Sequence, residues 1–195
     1  MLDLVLKQHV ELAPTTEDST GVFYLPHHAV KKDRRGNTKW RIVFDASSSE
    51  GNSPSLNDVL EMGPNLLPEV LATLLRFRER PVAIVGDIQQ AFLQLSLEKE
   101  DRDLTRFLWY KVSQDDEGNH YTTQDVVSYR FTRLPFGLTC SPFLLSATVR
   151  ELANMCRKEY PNAAPLIDGN MYMDEFVAGV DDGNGAIRIY YELTA

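Results

Sequence analysis

Apolar residues along this chain fall into short β-favouring runs early and into helix-spaced sets later. Val22–Lys32 reads as a strand interrupted by Pro26, and Thr38–Asp45 as a second strand. Arg35-Gly36-Asn37 supplies turn residues between them, which predicts a hairpin. Ala46–Asn57 is rich in Ser, Gly, Asn and Pro and reads as loop. Pro68 to about Arg78 is spaced as a helix, with Leu71, Leu74 and Leu75 on one face and proline near its start.

Further along, Val82-Ala83-Ile84-Val85 is wholly apolar, the pattern of a central strand covered on both faces, and Gly86-Asp87 ends it. Leu104–Val112 and Val126–Phe131 read as strands joined by a polar segment. Pro142–Glu159 is the clearest helix, with Leu145, Thr148, Val149, Leu152, Met155 and Cys156 along one side. Met171–Met173 and Phe176–Val180 are apolar arms around Asp174-Glu175, as in a tight hairpin, and Ala186–Leu193 is a last helix. Strands and helices interleave without a regular βαβ period, so the expected class is α+β. Repeats, low-complexity tracts and linkers are not evident.

Composition narrows the possibilities. With 43% hydrophobic and 10% aromatic residues, 195 residues suffice for a real core. No run approaches the ~20 apolar residues of a membrane span, and Met1-Leu2-Asp3-Leu4 does not open a signal peptide. A net charge of −8 argues against a generic nucleic-acid binder, yet the charge is uneven. Between His27 and Arg41 stand Lys31, Lys32, Arg34, Arg35, Lys39 and Arg41 against one acid, Asp33. A basic hairpin on an acidic body suits a protein that holds phosphates in one place and cations in another, and equally a solvated hairpin tip. Cys140 and Cys156 lack metal-ligand spacing and are expected as free thiols, and His27-His28 reads as a strand pair with no carboxylate or cysteine at ligand spacing.

Two acidic signals carry chemistry. Asp87 ends an apolar strand, where it either caps the next helix or has its charge offset by a ligand. Asp174-Glu175 sits between apolar arms, where acids are commonly solvated turn formers. Three carboxylates at two strand ends are also what a pair of Mg²⁺ ions about 3.5–4 Å apart requires.

At these residues the chain resembles reverse transcriptases. Tyr172-Met173-Asp174-Glu175 is similar to the family's Tyr-x-Asp-Asp box, and Asp87 followed by Ala91-Phe92 to its first catalytic motif. Leu134-Pro135-Phe136-Gly137-Leu138-Thr139-Cys140-Ser141-Pro142-Phe143 resembles the Pro-Phe-Gly-Leu box, and Lys39-Trp40-Arg41-Ile42-Val43-Phe44-Asp45 the fingers strand that meets the nucleotide. Tyr24-Leu25-Pro26-His27-His28, Arg41-Ile42-Val43-Phe44-Asp45-Ala46-Ser47 and Ser55-Leu56-Asn57-Asp58 further resemble the BEL/Pao group of long-terminal-repeat retrotransposons.

The resemblance implies a right-hand polymerase palm, an antiparallel sheet backed by helices, with fingers in two pieces. The fingers are expected at 1–62 and 95–140 and the palm at 63–94 and 141–195, with no thumb. It implies an RNA-directed DNA polymerase that joins a dNTP to a primer 3′-hydroxyl, with primer–template as partner and two Mg²⁺ or Mn²⁺ ions. Asp87, Asp174 and Glu175 are then the catalytic acids, and the Ile88 carbonyl completes the metal ligands. Lys32, Lys39, Arg41, Phe92, Phe136 and Gly137 are implied for the nucleotide, with Lys31 an alternative to the other lysines. Tyr172, Met173 and Arg133 are implied for template and primer. Phe92 is placed to bar a 2′-hydroxyl, or is an ordinary core aromatic. Arg130 and Arg133 touch the template backbone or form surface ion pairs. One departure stands out: Glu175 occupies the place of a second aspartate. The alternatives are a catalytically impaired nucleic-acid-binding relic and an RNA-templated RNA polymerase, the latter disfavoured by Phe92. A cytoplasmic retrotransposon particle is the expected location.

Overall fold

The structure, a computed structural model, describes residues 1–15, 21–34 and 37–195, apart from the side chains at 34, 37 and 39. In chain order the elements begin with α1 (Leu2–Leu6), β1 (Val10–Leu12), β2 (His27–Arg34), β3 (Asn37–Phe44) and α2 (Leu56–Val59). Then come α3 (Val70–Glu79), β4 (Val82–Asp87), α4 (Ala91–Gln94), a 3₁₀ turn (Arg102–Thr105), β5 (Arg106–Gln114) and β6 (His120–Phe131). The chain continues through α5 (Ser141–Cys156), α6 (Ala164–Asn170), β7 (Met171–Tyr172), β8 (Glu175–Val180) and α7 (Gly183–Thr194). They form two compact units, residues 1–61 with 92–141, and residues 62–91 with 142–195.

The first unit contains an antiparallel sheet in the order β1-β6-β5 and the hairpin β2–β3. Asp115 closes the β5–β6 turn by accepting from the Glu117 and Asn119 amides. Pro26 stops the early strand as the sequence suggests: Tyr24 bridges Arg106, and regular pairing begins only at His27. An aromatic core forms where the hairpin meets the sheet. Phe107 and Phe131 are fully enclosed, and the Phe44 ring lies 4.9 Å from each in an edge-on arrangement. Each such ring is worth about 1.5–3 kcal/mol in burial, with about 0.5–1.5 more from ring–ring geometry. His27 stacks near Phe44 and Trp109, so it is part of this core.

Across the same unit runs a charge network. Glu11 on β1 pairs with Arg130 at 2.7 Å and Arg102 at 3.2 Å, while Asp103 pairs with Arg106 at 2.8 Å and Arg130 at 3.0 Å. Arg130, weighed above as a template contact, is therefore a largely buried ion-pair partner.

The second unit is an antiparallel sheet in the order β4-β8-β7 with α3, α6 and α7 packed on it. Phe176, Ala178, Ala163 and Ile189 make its buried cluster. Asp182 caps α7 by accepting from the Gly185 amide, which fixes where that helix starts. Three sequence expectations are corrected here. Among the described residues β4 is an edge strand with one open face: Val85 is 67% exposed, and β8 alone pairs with it. An apolar run alone does not reveal how many faces are covered. The Leu71, Leu74, Leu75 stripe of α3 is exposed, because the helix instead buries Thr73, whose hydroxyl bonds back to the Glu69 carbonyl. Gly179 of β8 lets the α3 backbone close in, since a Cβ there would lie 3.1 Å from the Arg76 and Phe77 carbonyls. On α5, Leu145 is buried but Leu152 and Met155 are exposed. Leu152 and Cys156 border an open, mainly apolar cavity of about 500 Å³ beside β4. Both cysteines are free thiols.

Candidate active site

The apolar arms around Asp174-Glu175 pair as the two-stranded hairpin β7–β8, with Tyr172 opposite Glu175. Only Met173 and Asp174 remain for the turn, and Met173 takes φ +57°. A positive φ at the first of two central residues is the type II′ pattern, ordinarily a glycine place, and costs a bulky residue about 1–3 kcal/mol. β8 then runs antiparallel to β4 so that Glu175 stands opposite Asp87. The Ile88 amide donates to the Asp174 carbonyl at 2.9 Å. All three acids thus sit within one register step, at the ends of strands in one sheet.

Their side chains are open to solvent to different degrees, Asp87 and Glu175 exposed and Asp174 half-buried. Directly opposed like charges repel, and the donors available are all oxygen, which suits hard cations such as Mg²⁺ or Mn²⁺. Among the described residues no three acid, histidine or cysteine side chains are gathered tightly enough to enclose an ion as they stand. The backbone register brings the three acids to one end of the sheet.

A second strained residue follows directly. Gln90, at φ +54°, turns the chain between Asp87 and the buried Ala91. Its composition carries no signal of this, and sequence reading passed it over. In the first unit Phe92 is 7% exposed and meets Phe136 edge-on at 4.7 Å, while Phe136 remains 54% exposed. Gly137 has φ +96°, and a Cβ there would lie 3.1 Å from the Phe44 carbonyl. The turn and the close approach both call for glycine.

In the β2–β3 hairpin, Lys32 pairs across from Lys39 and Val30 from Arg41. Alternation along strands puts Lys32 and Arg41 on one face. Lys31 lies on the other, across from the 64% exposed Trp40, and its ammonium is 3.2 Å from Asp33. The proposed turn at Arg35-Gly36 and the Lys39 side chain lie outside the described residues. Arg133 donates to Ser96 Oγ at 2.7 Å and to the Gln94 carbonyl at 3.2 Å, so its guanidinium is tied to its own unit.

Set beside known proteins, residues 30–195 match the family model described as reverse transcriptase (RNA-dependent DNA polymerase). No curated protein sequence matches the chain. Among solved structures, the native prototype foamy virus protease-reverse transcriptase is similar at TM-score 0.66 and 21% identity. That likeness covers 98% of this chain and 20% of that one. The foamy viral enzyme in complex with double-stranded DNA matches at TM-score 0.66 and 21% identity, covering 98% and 26%. The form with an RNA/DNA hybrid matches at 0.64 and 19%, covering 98% and 20%. The present chain therefore spans about a fifth to a quarter of the length of those structures. Its mixed helices and antiparallel sheets have the reverse-transcriptase fold. By the extent of the family match, the chain belongs to the reverse transcriptase (RNA-dependent DNA polymerase) family.

Proposed function

We propose that this chain carries the nucleotidyl-transfer centre of an RNA-directed DNA polymerase, which joins a dNTP to a primer 3′-hydroxyl on a nucleic-acid template. The observation that carries the reading is the pairing of Asp87 with Glu175, beside Asp174, at the ends of β4 and β8. The unit of 62–91 and 142–195 acts as palm, and the unit of 1–61 and 92–141 as fingers. Asp87 and Asp174, with the Ile88 carbonyl and Glu175 beside them, are the residues that would hold two Mg²⁺ or Mn²⁺ ions. Bound there, such ions offset the charge that gathers on a triphosphate.

The remaining roles belong to the chain's own groups. Arg41 and Lys32, on one face of the basic hairpin, grip phosphates as a planar fork and a point charge. Lys39 is the other candidate lysine. Phe92, backed by Phe136, forms a wall beneath the sugar that leaves no room for a 2′-hydroxyl. Gly137 allows backbone to lie close to nucleotide and template. Tyr172 and Met173 border the primer terminus, and Arg133 serves the template side. The foamy viral structures with double-stranded DNA and with an RNA/DNA hybrid support a primer–template as the partner. The motifs at 24–28, 41–47 and 55–58 support a BEL/Pao origin.

The test is primer extension on an RNA template with Mg²⁺ or Mn²⁺. Incorporation is expected from the wild-type chain and none from Asp87→Ala. Equal inertness of both, with primer–template binding retained, would establish the alternative of a non-catalytic nucleic-acid-binding relic. Glu175 in place of aspartate is the observation that favours that second reading.

A further inference from the structure

Three stretches that stand apart in the sequence, 41–47, 55–58 and 134–143, meet at one side chain. Asn57 Nδ2 donates to the Gly137 carbonyl at 2.9 Å and to Ser47 Oγ at 2.8 Å. Its Oδ1 accepts from the Thr139 amide at 2.9 Å, and its own amide donates to the Ala46 carbonyl at 3.0 Å. Because one partner is a backbone donor and another a backbone acceptor, only one orientation of the carboxamide satisfies both.

The residue is itself held firmly. It lies in the first turn of α2, between Ser55 and Asp58, which form a reciprocal capping box: the Ser55 amide donates to Asp58 Oδ2 at 2.9 Å, and the Asp58 amide to Ser55 Oγ at 3.3 Å. Ser55 and Leu56 are buried. The Phe44 carbonyl also comes close to Gly137: a Cβ there would lie 3.1 Å from it, a tight approach at a residue whose φ is +96°. The turn that presents Phe136 and Gly137 is thus held sterically by the end of β3 and polarly by Asn57.

We infer that Asn57 is a positioning residue: its carboxamide fixes the Phe136-Gly137 turn in the conformation that receives nucleotide. The kinetic half of this inference rests on the polymerase reading above. No other side-chain type of similar size offers the same pair of contacts. Aspartate keeps the acceptor for Thr139 but has no donor for Gly137, leucine has neither, and serine lacks the reach to both partners at once.

Asn57→Ala and Asn57→Asp in the full chain test this through amide hydrogen exchange and steady-state kinetics. In Asn57→Ala the Thr139 amide is expected to lose protection, while the Phe131 amide, bonded to Thr105 Oγ1 in the core, keeps its own. Asn57→Asp is expected to keep Thr139 protected and still release Gly137. Both variants should raise KM for dNTP about tenfold and leave kcat within about threefold, as a misplaced binding turn does. Unchanged Thr139 protection in Asn57→Ala overturns the inference. So does raised exchange with an unchanged KM, or a loss of kcat alone that tracks the folded fraction. Should Asn57→Ala fail to fold, Asn57→Asp decides the kinetic half by the same KM criterion. A wild-type chain that incorporates no nucleotide removes the polymerase reading and the kinetic half together, whereas the exchange data still decide whether Asn57 holds the turn.

Discussion

Asp87 and Glu175 face each other across an antiparallel pair of strands, so both carboxylates leave the same side of the sheet. Two like charges in that position repel each other unless a cation lies between them. The chain keeps this arrangement at a strand end flanked by two residues of positive φ, Gln90 and Met173. Charge opposition and backbone strain meet in one place, the combination that the proposed metal-binding role of these acids would use.

Glu175 extends one methylene further than the aspartate that reverse transcriptases carry, about 1 Å at the carboxylate, and displacements of that size cost on the order of a hundredfold in rate. Glu175→Asp is therefore expected to raise single-nucleotide incorporation by tenfold or more, about 1.4 kcal/mol in barrier. A rapid-quench comparison of the two proteins on one primer–template checks this. An unchanged rate would place the second acid outside the reacting centre.

Phe92 is enclosed and its ring abuts Phe136. On the polymerase reading proposed above the ring would wall off a 2′-hydroxyl, so Phe92→Val should narrow the dNTP-over-rNTP preference by at least about tenfold. The ratio of kcat/KM for the two sugars measures it. Preserved selectivity would return Phe92 to an ordinary core role.

Gly63 takes φ +76°, and a Cβ added there would lie 2.5 Å from the Phe143 ring, an overlap that no small shift relieves. Gly63→Ala combines backbone strain with overpacking and is expected to cost about 2–4 kcal/mol of stability. Urea denaturation reads this directly, and a loss under ~0.5 kcal/mol, the level of an ordinary surface change, would contradict the packing described.

The Arg106 guanidinium, hydrogen-bonded to Asp103, holds that carboxyl below its ordinary value of 3.8, against a smaller opposing effect of burial. A depressed folded-state value means that the stabilisation is complete above 3.8 and fades as pH falls below it. Asp103→Asn should destabilise the protein at neutral pH by about 3 kcal/mol, since it leaves buried arginine charge uncompensated. The difference from wild type should shrink progressively below pH 3.8, where protonated Asp103 becomes as neutral as asparagine. A pH series of denaturation midpoints checks it, and a constant offset would discard the ion pair as its cause.

Much of the fold was legible because the strand and helix runs are bounded by strong punctuation. Pro81 and Gly86-Asp87 bracket β4, whereas the cap at Asp182 went unread and the last helix, expected from Ala186, begins at Gly183. The acids could be found because Asp87 and Asp174-Glu175 interrupt apolar segments, where charge is conspicuous. What stayed hidden depends on three-dimensional context. Leu71, Leu74 and Leu75 make a persuasive stripe, yet a threonine and a glycine decide which side of α3 packs. Positive φ at Gln90 leaves no trace in composition. The short β1 is too brief for periodicity to detect, and Asn57 looks like any loop asparagine until its partners, 10 and about 80 residues away, are brought beside it.

Homology and folding draw different borders on this molecule. The family match starts at residue 30, but Glu11 on the three-residue β1 supplies the carboxylate for Arg130 and Arg102, and Val10 beside it is 4% exposed against the aromatic core. A fragment trimmed to the matched residues would take the carboxylate away from Arg102, leave Arg130 with Asp103 alone, and uncover one flank of Phe107 and Phe131. Such a piece would misreport the chain: its failure in an assay would be a failure of the scaffold, with Asp87, Asp174 and Glu175 all still present.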